Sequence, residues 1–196
     1  MIIFISGGAK NGKTTMGQDL TVALAGGGPH YYVATMIPAD DEDHDRIRRH
    51  IEDRDGMGFE TIEIGHNILS CLETPDRTGA EADSLLQKPV DCNGSFLLDS
   101  VTALLLNELF PDPLSPDMDV EAAEKCGDDL VTFAKSVKDV VFVSDYIYSD
   151  AQRYDEVTET YRRCLASIDR KLAAISDTVI EVSAGNIFVH KGELPE

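Results

Sequence analysis

The chain has 196 residues, of which 42% are hydrophobic, and this is enough apolar content for the core of one domain spanning 1–196. Its 36 acidic and 17 basic residues give a net charge of −19, which disfavours nucleic acid and anionic membranes as partners. Neither a signal peptide nor an apolar run of the ~18–20 residues that a membrane span requires is evident, so we expect a cytoplasmic protein. The four cysteines form no C-x-x-C pair, which argues against a zinc site.

Short apolar runs alternate with helix-periodic segments along the chain. The runs are apolar on both faces, which is typical of parallel strands covered by helices on each side. The predicted strands are 2–5, 31–34, 96–98, 140–143, 179–182 and 187–190, and helical periodicity is found near 14–25, 42–53, 101–110, 120–136 and 155–176. This order predicts an α/β domain with a mostly parallel sheet flanked by helices. A turn at 183–186 predicts that the last two strands form an antiparallel edge hairpin.

The first strand leads into a glycine-rich loop with the spacing G-x-x-x-x-G-K-[ST]. The loop consists of Gly7, Gly8, Ala9, Lys10, Asn11, Gly12, Lys13, Thr14 and Thr15. Glycines let backbone N–H groups turn around a phosphate, and the start of the next helix adds its positive dipole end. Lys13 would reach the β- and γ-phosphates and the Thr14 hydroxyl would ligate Mg²⁺. An ordinary glycine turn would not need Lys and Thr together, so the loop predicts binding of a nucleoside triphosphate.

Asp99 ends the apolar run 96–98, where a phosphate-loop enzyme needs an acidic residue. A Walker B strand places such a carboxylate beside the Mg²⁺ shell. An Asp at this point is also a common helix cap, because a helical segment begins at Ser100 and Val101. The sequence leaves both interpretations open.

A charged helical segment between 39 and 54 carries basic groups on one face. Arg46, His50 and Arg54 recur every four residues and therefore share a side of the helix. A neutral imidazole between two guanidinium groups is suited to receive a phosphoryl or nucleotidyl group, because the arginines neutralise the developing anion. A charged, solvated helix explains the same pattern.

Several motifs follow the phosphate loop in a recognisable order. They are Val33-Ala34-Thr35, Asp41-Glu42, Arg46-Ile47-x-x-His50-x-x-x-Arg54, Thr61-Ile62-Glu63 and Leu97-Leu98-Asp99-Ser100-Val101-Thr102. Together with the loop, over 1–110, they resemble the bifunctional adenosylcobinamide kinase/adenosylcobinamide-phosphate guanylyltransferase family of cobalamin biosynthesis. The combination is far more specific than the phosphate loop alone.

The resemblance implies a RecA-like P-loop NTPase fold and two activities with Mg²⁺ as cofactor. One phosphorylates the aminopropanol hydroxyl of adenosylcobinamide from ATP or GTP, and the other transfers GMP from GTP to adenosylcobinamide phosphate. By the same resemblance His50 carries GMP, and Glu63 lies near the ribose hydroxyls of the bound nucleotide. Lys13 and Asp99 complete the catalytic set, while Arg46 and Arg54 stabilise charge at the transferring phosphorus. Because family members can assemble as trimers, we expect a homo-oligomer.

The second half departs from the family pattern. Asn-Glu-Val-Gly after the fourth strand is replaced by Asp145-Tyr146-Ile147-Tyr148, in which Asp145 would retain an acceptor near the γ-phosphate or the substrate hydroxyl. Farther on, Phe-Arg-Asp and Asn-Gln are replaced by Tyr161-Arg162-Arg163 and Asp169-Arg170. Two other interpretations therefore remain: a small-molecule kinase or NTPase without the histidine chemistry, and a non-catalytic nucleotide-binding subunit.

Overall fold

A seven-stranded sheet forms the centre of the computed structural model. The structure describes residues 1–38, 48, 51–52, 54–73, 89–112, 114–115, 117–148 and 151–195. The strands are β1 (Ile2–Gly7), β2 (His30–Ala34), β3 (Glu60–Glu63), β4 (Ser95–Asp99), β5 (Asp139–Asp145), β6 (Thr178–Ser183) and β7 (Asn186–Lys191). Their order in the sheet is β3-β2-β4-β5-β1-β6-β7. All neighbours are parallel except β6 and β7, which pair antiparallel as the edge hairpin that the sequence predicts.

Helices cover the two faces of this sheet. They are α1 (Lys13–Ala25), α2 (Val101–Leu109), α3 (Val120–Ser136) and α4 (Glu156–Ile175), and a 3₁₀ turn spans Ile68–Leu72. Helix α1 packs on one face through Met16, Leu20 and Leu24. Gly17 brings this helix close to the sheet, since a Cβ atom there would approach Leu97 Cδ1 to 2.8 Å.

The opposite face of the sheet forms the larger part of the core. There Phe4, Phe96, Leu98 and Phe142 pack beneath α2, α3 and α4. The strands are thus buried on both faces, which explains why they appear in the sequence as continuous apolar runs instead of alternating ones. The predicted fold class is therefore confirmed.

Strand β3 was missed by the sequence analysis, which treated 61–63 only as a motif. It lies at the edge of the sheet and pairs only with β2. Ile62 is its one fully buried residue, so the segment lacks the apolar run that marks the inner strands. Most of the helix predicted near 42–53 lies outside the described residues; within it, Arg48, Ile51 and Glu52 are helical.

The parallel strands bring the predicted chemical groups to one edge of the sheet. Gly7 is in register with Asp145, and Ala34 with both Asp99 and Glu63. These residues are the carboxyl ends of five strands, the edge at which open α/β sheets bind their ligands. The fold therefore explains how residues far apart in the chain come to one side of the molecule.

Candidate nucleotide-binding site

The phosphate loop runs from the end of β1 into α1. Gly7 is tightly enclosed, because a Cβ atom there would overlap the Val182 carbonyl oxygen and the Asn11 side chain. Asn11 donates a hydrogen bond to that same carbonyl and so ties the loop to β6. Gly12 has φ of 91°, a left-handed conformation that favours glycine, and it turns the chain into the helix. The sequence pattern thus corresponds to a formed loop.

Helix α1 begins without a capping side chain. By contrast, α2, α3 and α4 each begin with one: Ser100, Asp119 and Asp155 accept hydrogen bonds from the backbone of the first turn. The first N–H groups of a helix have no intrahelical partner, so an uncapped start leaves donors that an anion can accept. Of these four helices, α1 alone lacks a side-chain cap, and it is the helix that follows the glycine loop. This combination indicates a phosphate site at the start of α1.

Lys13 lies at the mouth of this loop. Its ammonium group donates to the Gly8 carbonyl at 2.6 Å, to Asp145 Oδ1 at 2.7 Å and to Asn11 Oδ1 at 3.3 Å. The side chain is only 5% exposed, so the charge is held in place by these oxygens. A hydrogen bond from the Asp145 backbone N–H to the Thr102 hydroxyl, 2.9 Å, fixes the end of β5 beside it.

The Thr14 hydroxyl and the Asp99 carboxylate lie together, as the sequence predicts for a metal site. Thr14 Oγ1 donates to Asp99 Oδ2 at 3.2 Å. Hydroxyl and carboxylate oxygens are the ligands that Mg²⁺ prefers, and both face the start of α1. The alternative that Asp99 merely caps a helix is wrong, since Ser100 caps α2 by accepting from Ala103 N–H at 3.2 Å. The two residues therefore fit a Mg²⁺ ion bound beside a phosphate.

The end of β4 is held in place by Thr35, at the end of β2. Its hydroxyl accepts from Ser100 N–H and donates to the Ser100 carbonyl, both at 2.8 Å. Asn107 in turn donates to the Thr35 carbonyl at 2.8 Å and to the Gly65 carbonyl at 2.9 Å. These contacts fix the three strand ends relative to one another, so the Asp99 carboxylate has a defined position.

Apart from the phosphate loop there is a second candidate region, a cavity of about 440 Å³ at the edge of the sheet near β3, called the second cavity below. Arg54 and Glu63 both line it, so the structure brings together two residues that the sequence assigns to nucleotide binding. Arg54 is 9% exposed and donates to the Thr61 hydroxyl at 3.1 Å. Glu63 is exposed at the end of β3. His50 and Arg46 lie outside the described residues, and their roles stay predictions.

Tyr32 joins the two regions, and the sequence analysis missed it. Its hydroxyl donates to Asp99 Oδ2 at 2.5 Å, and the Arg54 guanidinium lies 4.1 Å from the centre of its ring. A tyrosine in a buried strand looks like a core residue, but its hydroxyl needs a partner. That requirement is the signal that could have marked Tyr32 in the sequence.

The cysteines take no part in this site. Burial raises the pKa of Cys71 and of Cys126 to about 12, so both are neutral thiols at physiological pH. No helix among the described residues is long and apolar enough to cross a membrane.

Comparison with solved structures shows the fold. The chain is similar to a solved ATPase domain, with a TM-score of 0.51 and 11% identity over 99% of this chain and 78% of that one. Together with the formed phosphate loop, this likeness shows a RecA-like P-loop sheet. The chain is also similar to the flagellar accessory protein FlaH from Methanocaldococcus jannaschii, with a TM-score of 0.46 and 15% identity over 98% and 78% of the two chains. None of the curated proteins matches the chain.

A family model gives the more specific result. The model described as cobinamide kinase / cobinamide phosphate guanyltransferase matches residues 3–189. The match includes the phosphate loop, the Thr14–Asp99 pair and the Arg54 cavity, and it extends through the second half, beyond the residues 1–110 that carry the resemblance in the sequence analysis. The chain belongs to the cobinamide kinase / cobinamide phosphate guanyltransferase family, whose reactions are steps of cobalamin biosynthesis.

Proposed function

We propose that the chain carries out both transfers of its family, with a GMP-histidine intermediate at His50. In the first reaction the cobinamide hydroxyl oxygen forms a bond to the γ-phosphorus of ATP or GTP, and the bond from that phosphorus to the departing nucleoside diphosphate breaks. In the second, a nitrogen of His50 bonds to the α-phosphorus of GTP and pyrophosphate leaves. A phosphate oxygen of cobinamide phosphate then displaces the histidine and forms the new diphosphate.

The phosphate loop supports the first transfer. The uncapped N–H groups of α1 and the Lys13 ammonium would bind the triphosphate and neutralise the charge that develops on the transferring group. Thr14 and Asp99 would hold a Mg²⁺ ion, which would supply positive charge next to the triphosphate. Lys13 must exchange its 2.7 Å contact with Asp145 for a phosphate oxygen, which leaves the Asp145 carboxylate available to accept the hydroxyl proton.

The second cavity supports the guanylyl transfer. Arg54 supplies a buried positive charge, Glu63 supplies a carboxylate suited to two adjacent ribose hydroxyls, and Ile51 lines the same space. Two of these residues are close to His50 in the chain. A guanidinium group next to an attacked phosphorus stabilises the charge of the transition state.

The observation that carries the proposal is the connection through Tyr32. One side chain contacts both the carboxylate of the metal site and the guanidinium of the second cavity. A triphosphate bound at the loop and a nucleotide bound beside Arg54 would therefore be neighbours. An enzyme that uses triphosphate for two successive transfers to one acceptor needs this proximity, whereas a simple kinase does not.

The test is incubation with Mg²⁺ and GTP labelled at the α-phosphorus, followed by acid and base treatment of the labelled protein. We expect an acid-labile, base-stable label in the wild type and in a His66→Ala control, and no label in His50→Ala. The control removes His66, an exposed histidine among the described residues that does not line the second cavity. GTP binding should persist in His50→Ala, because the phosphate loop is unchanged.

Other results would separate the alternatives. Equal labelling of the wild type and His50→Ala would refute the histidine assignment. Phosphorylation of cobinamide without any protein label would indicate a kinase alone, and nucleotide binding without either product would indicate a non-catalytic subunit. The homotrimer and the cytoplasmic location stay predictions that size-exclusion chromatography and cell fractionation can check.

A further inference from the structure

A groove of about 820 Å³ lies on the sheet face opposite α1. It runs between α4 and the β6–β7 hairpin, beyond the cavities described above. Its walls are mainly apolar and are formed by Phe4, Ala166, Ala173 and Val179. Small-molecule sites are concave, mostly apolar and carry a few placed polar groups. The groove has the first two of these properties, and Ser6, Tyr148 and Asp169 supply a cluster of polar groups in it.

The polar cluster is built around Asp169, which is 3% exposed. Its carboxyl group accepts from the Ser144 hydroxyl at 2.9 and 3.1 Å and from the Tyr148 hydroxyl at 3.0 Å. Ser6 Oγ is buried beside the Tyr148 hydroxyl, and among the described residues it has no hydrogen-bond partner in good geometry. Ser6 Oγ thus belongs to the same polar cluster as Tyr148 and Asp169.

The groove adjoins the phosphate loop. Tyr146, which lines the groove, donates its N–H to the Gly7 carbonyl at 3.1 Å. The preceding residue is Asp145, whose carboxylate contacts Lys13. Burial raises the pKa of Asp169, and the charge of Asp145 raises it further, so the two carboxyl groups are electrostatic neighbours. Because Tyr146 contacts Gly7, a ligand in the groove would have one end near the phosphate loop.

Charged groups of both signs line the groove. Arg163 and Arg170 line it together with Asp169 and Glu181, and His190 Nε2 lies 2.8 Å from the Glu181 carboxylate. Such a surface offers both hydrogen-bond donors and acceptors to a ligand. It differs from the phosphate loop and the Arg54 cavity, where uncapped N–H groups and a buried guanidinium favour anions.

The groove is also lined by residues from the segments that the sequence analysis expects to differ from the family pattern. Tyr146, Tyr148, Arg163, Asp169 and Arg170 all line the groove, and all five belong to those segments. Residues that are spread along this part of the chain thus meet in one place. This placement indicates that the changes alter recognition of one ligand.

We propose that this groove binds the acceptor of the phosphoryl transfer, an organic alcohol with a broad apolar face and amide substituents. The proposal rests on the proposed function, and it adds where the acceptor binds and which residues select it. The acceptor extends past Tyr146 toward the phosphate loop, and its hydroxyl oxygen forms a bond to the γ-phosphorus. The bond from that phosphorus to the nucleoside diphosphate breaks, and the hydroxyl proton goes to Asp145.

The test is direct binding of cobinamide, measured by its visible absorbance after equilibrium dialysis, with no nucleotide present. Ala166→Leu places a larger side chain in the groove, and Ala174→Leu makes the same change at an exposed position of α4 outside it. We expect the Kd to rise at least tenfold in Ala166→Leu and to be unchanged in Ala174→Leu. ATP binding should be the same in both variants, which also reports that each is folded.

Tyr148→Phe provides a second measurement that does not change the shape of the groove. It removes one hydroxyl from the Asp169 network, and we expect a several-fold weaker affinity for cobinamide with unchanged ATP affinity. A rise in Kd of this size supports the proposal, and an unchanged Kd in both groove variants overturns it.

The possible failures can be told apart. If the wild type binds cobinamide and Ala166→Leu binds it equally well, the groove is not the acceptor site, while the proposed function stands. If the wild type binds no cobinamide, with or without ATP, the corrinoid acceptor itself is wrong. If Ala166→Leu alters the oligomeric state on size-exclusion chromatography and leaves the Kd unchanged, the groove is an interface between copies and the proposal is overturned.

Discussion

Replacement of Asp169 by Asn should change how the stability of the protein depends on pH. Burial raises the pKa of this carboxyl group from 3.8 to about 7, with hydrogen bonds from Ser144 and Tyr148 opposing the rise and the charge of Asp145 adding to it. The folded protein therefore holds a proton that the unfolded chain has already released. Asn has the same shape, keeps an acceptor for the two hydroxyl groups and cannot ionise.

The size of the effect follows from this shift. A group whose folded-state pKa is raised contributes stability that is fully present below its unfolded pKa and is lost as the pH rises through its folded pKa. One pKa unit corresponds to about 1.4 kcal/mol, so the whole shift corresponds to about 4 kcal/mol between about pH 4 and pH 8. Because Asp169 is 3% exposed, solvent screening reduces this value little.

The assay is urea unfolding of the wild type and Asp169→Asn at half-unit steps from pH 4 to pH 8. The difference between the two free energies of unfolding isolates Asp169 from the other acidic residues, since they are common to both proteins. The other charged groups around Asp169 are Arg163, Arg170, Glu181 and His190, which line the groove, and Asp145, whose charge raises the pKa of Asp169. A His190→Gln substitution in both proteins removes the histidine from the comparison.

We expect the Asn variant to gain stability relative to the wild type as the pH rises, with most of the gain between pH 4 and pH 7 and a plateau above. A difference that stays within about 0.5 kcal/mol over this range would refute the reasoning. It would mean that the carboxyl group is hydrated or rearranges when it ionises, and that the network in the groove is not closed.

Three further predictions concern the nucleotide site. Lys13→Ala should weaken ATP binding at least tenfold by calorimetry, because it removes the ammonium group at the mouth of the loop; unchanged affinity would contradict that role. Tyr32→Phe should raise the Mg²⁺ concentration for half-maximal activity about tenfold, since a hydrogen bond to a charged group contributes about 1.5–3 kcal/mol. Gly7→Ala should lower the free energy of unfolding by about 1–3 kcal/mol through overlap with the Val182 carbonyl. Gly8→Ala is its control, with no atom within 4 Å of the added carbon, and equal losses would show that the overlap relaxes.

Much of the site could be predicted from the sequence because its chemistry is local. The phosphate loop needs consecutive residues at fixed spacing, and Asp99 follows a strand that is recognisable by its apolar run. Glu63 and Arg54 were assigned through short motifs, and the structure places both in one cavity. In these cases the residues that identify the feature lie close together in the chain, so a short sequence motif was enough to predict it.

Other features depended on contacts between distant parts of the chain. The order of the strands brings Asp145 next to Lys13, and it brings Tyr32 next to Asp99. Neither pair has a signal in the spacing of the residues. Strand β3 was missed for a related reason, since an edge strand with one buried residue has no apolar run of its own.

The sequence by itself determined the α/β class, the phosphate loop and the likeness to a family of transferases, because local spacing and strand burial leave a direct pattern in the residues. The contacts of Tyr32 with both Asp99 and Arg54, and the meeting of Tyr146, Arg163 and Asp169 in one groove, became evident only in the folded molecule. The physical reason is that a parallel sheet places neighbouring strands by the packing of the helices that join them. Contacts across the sheet are therefore set by the whole core rather than by any one segment.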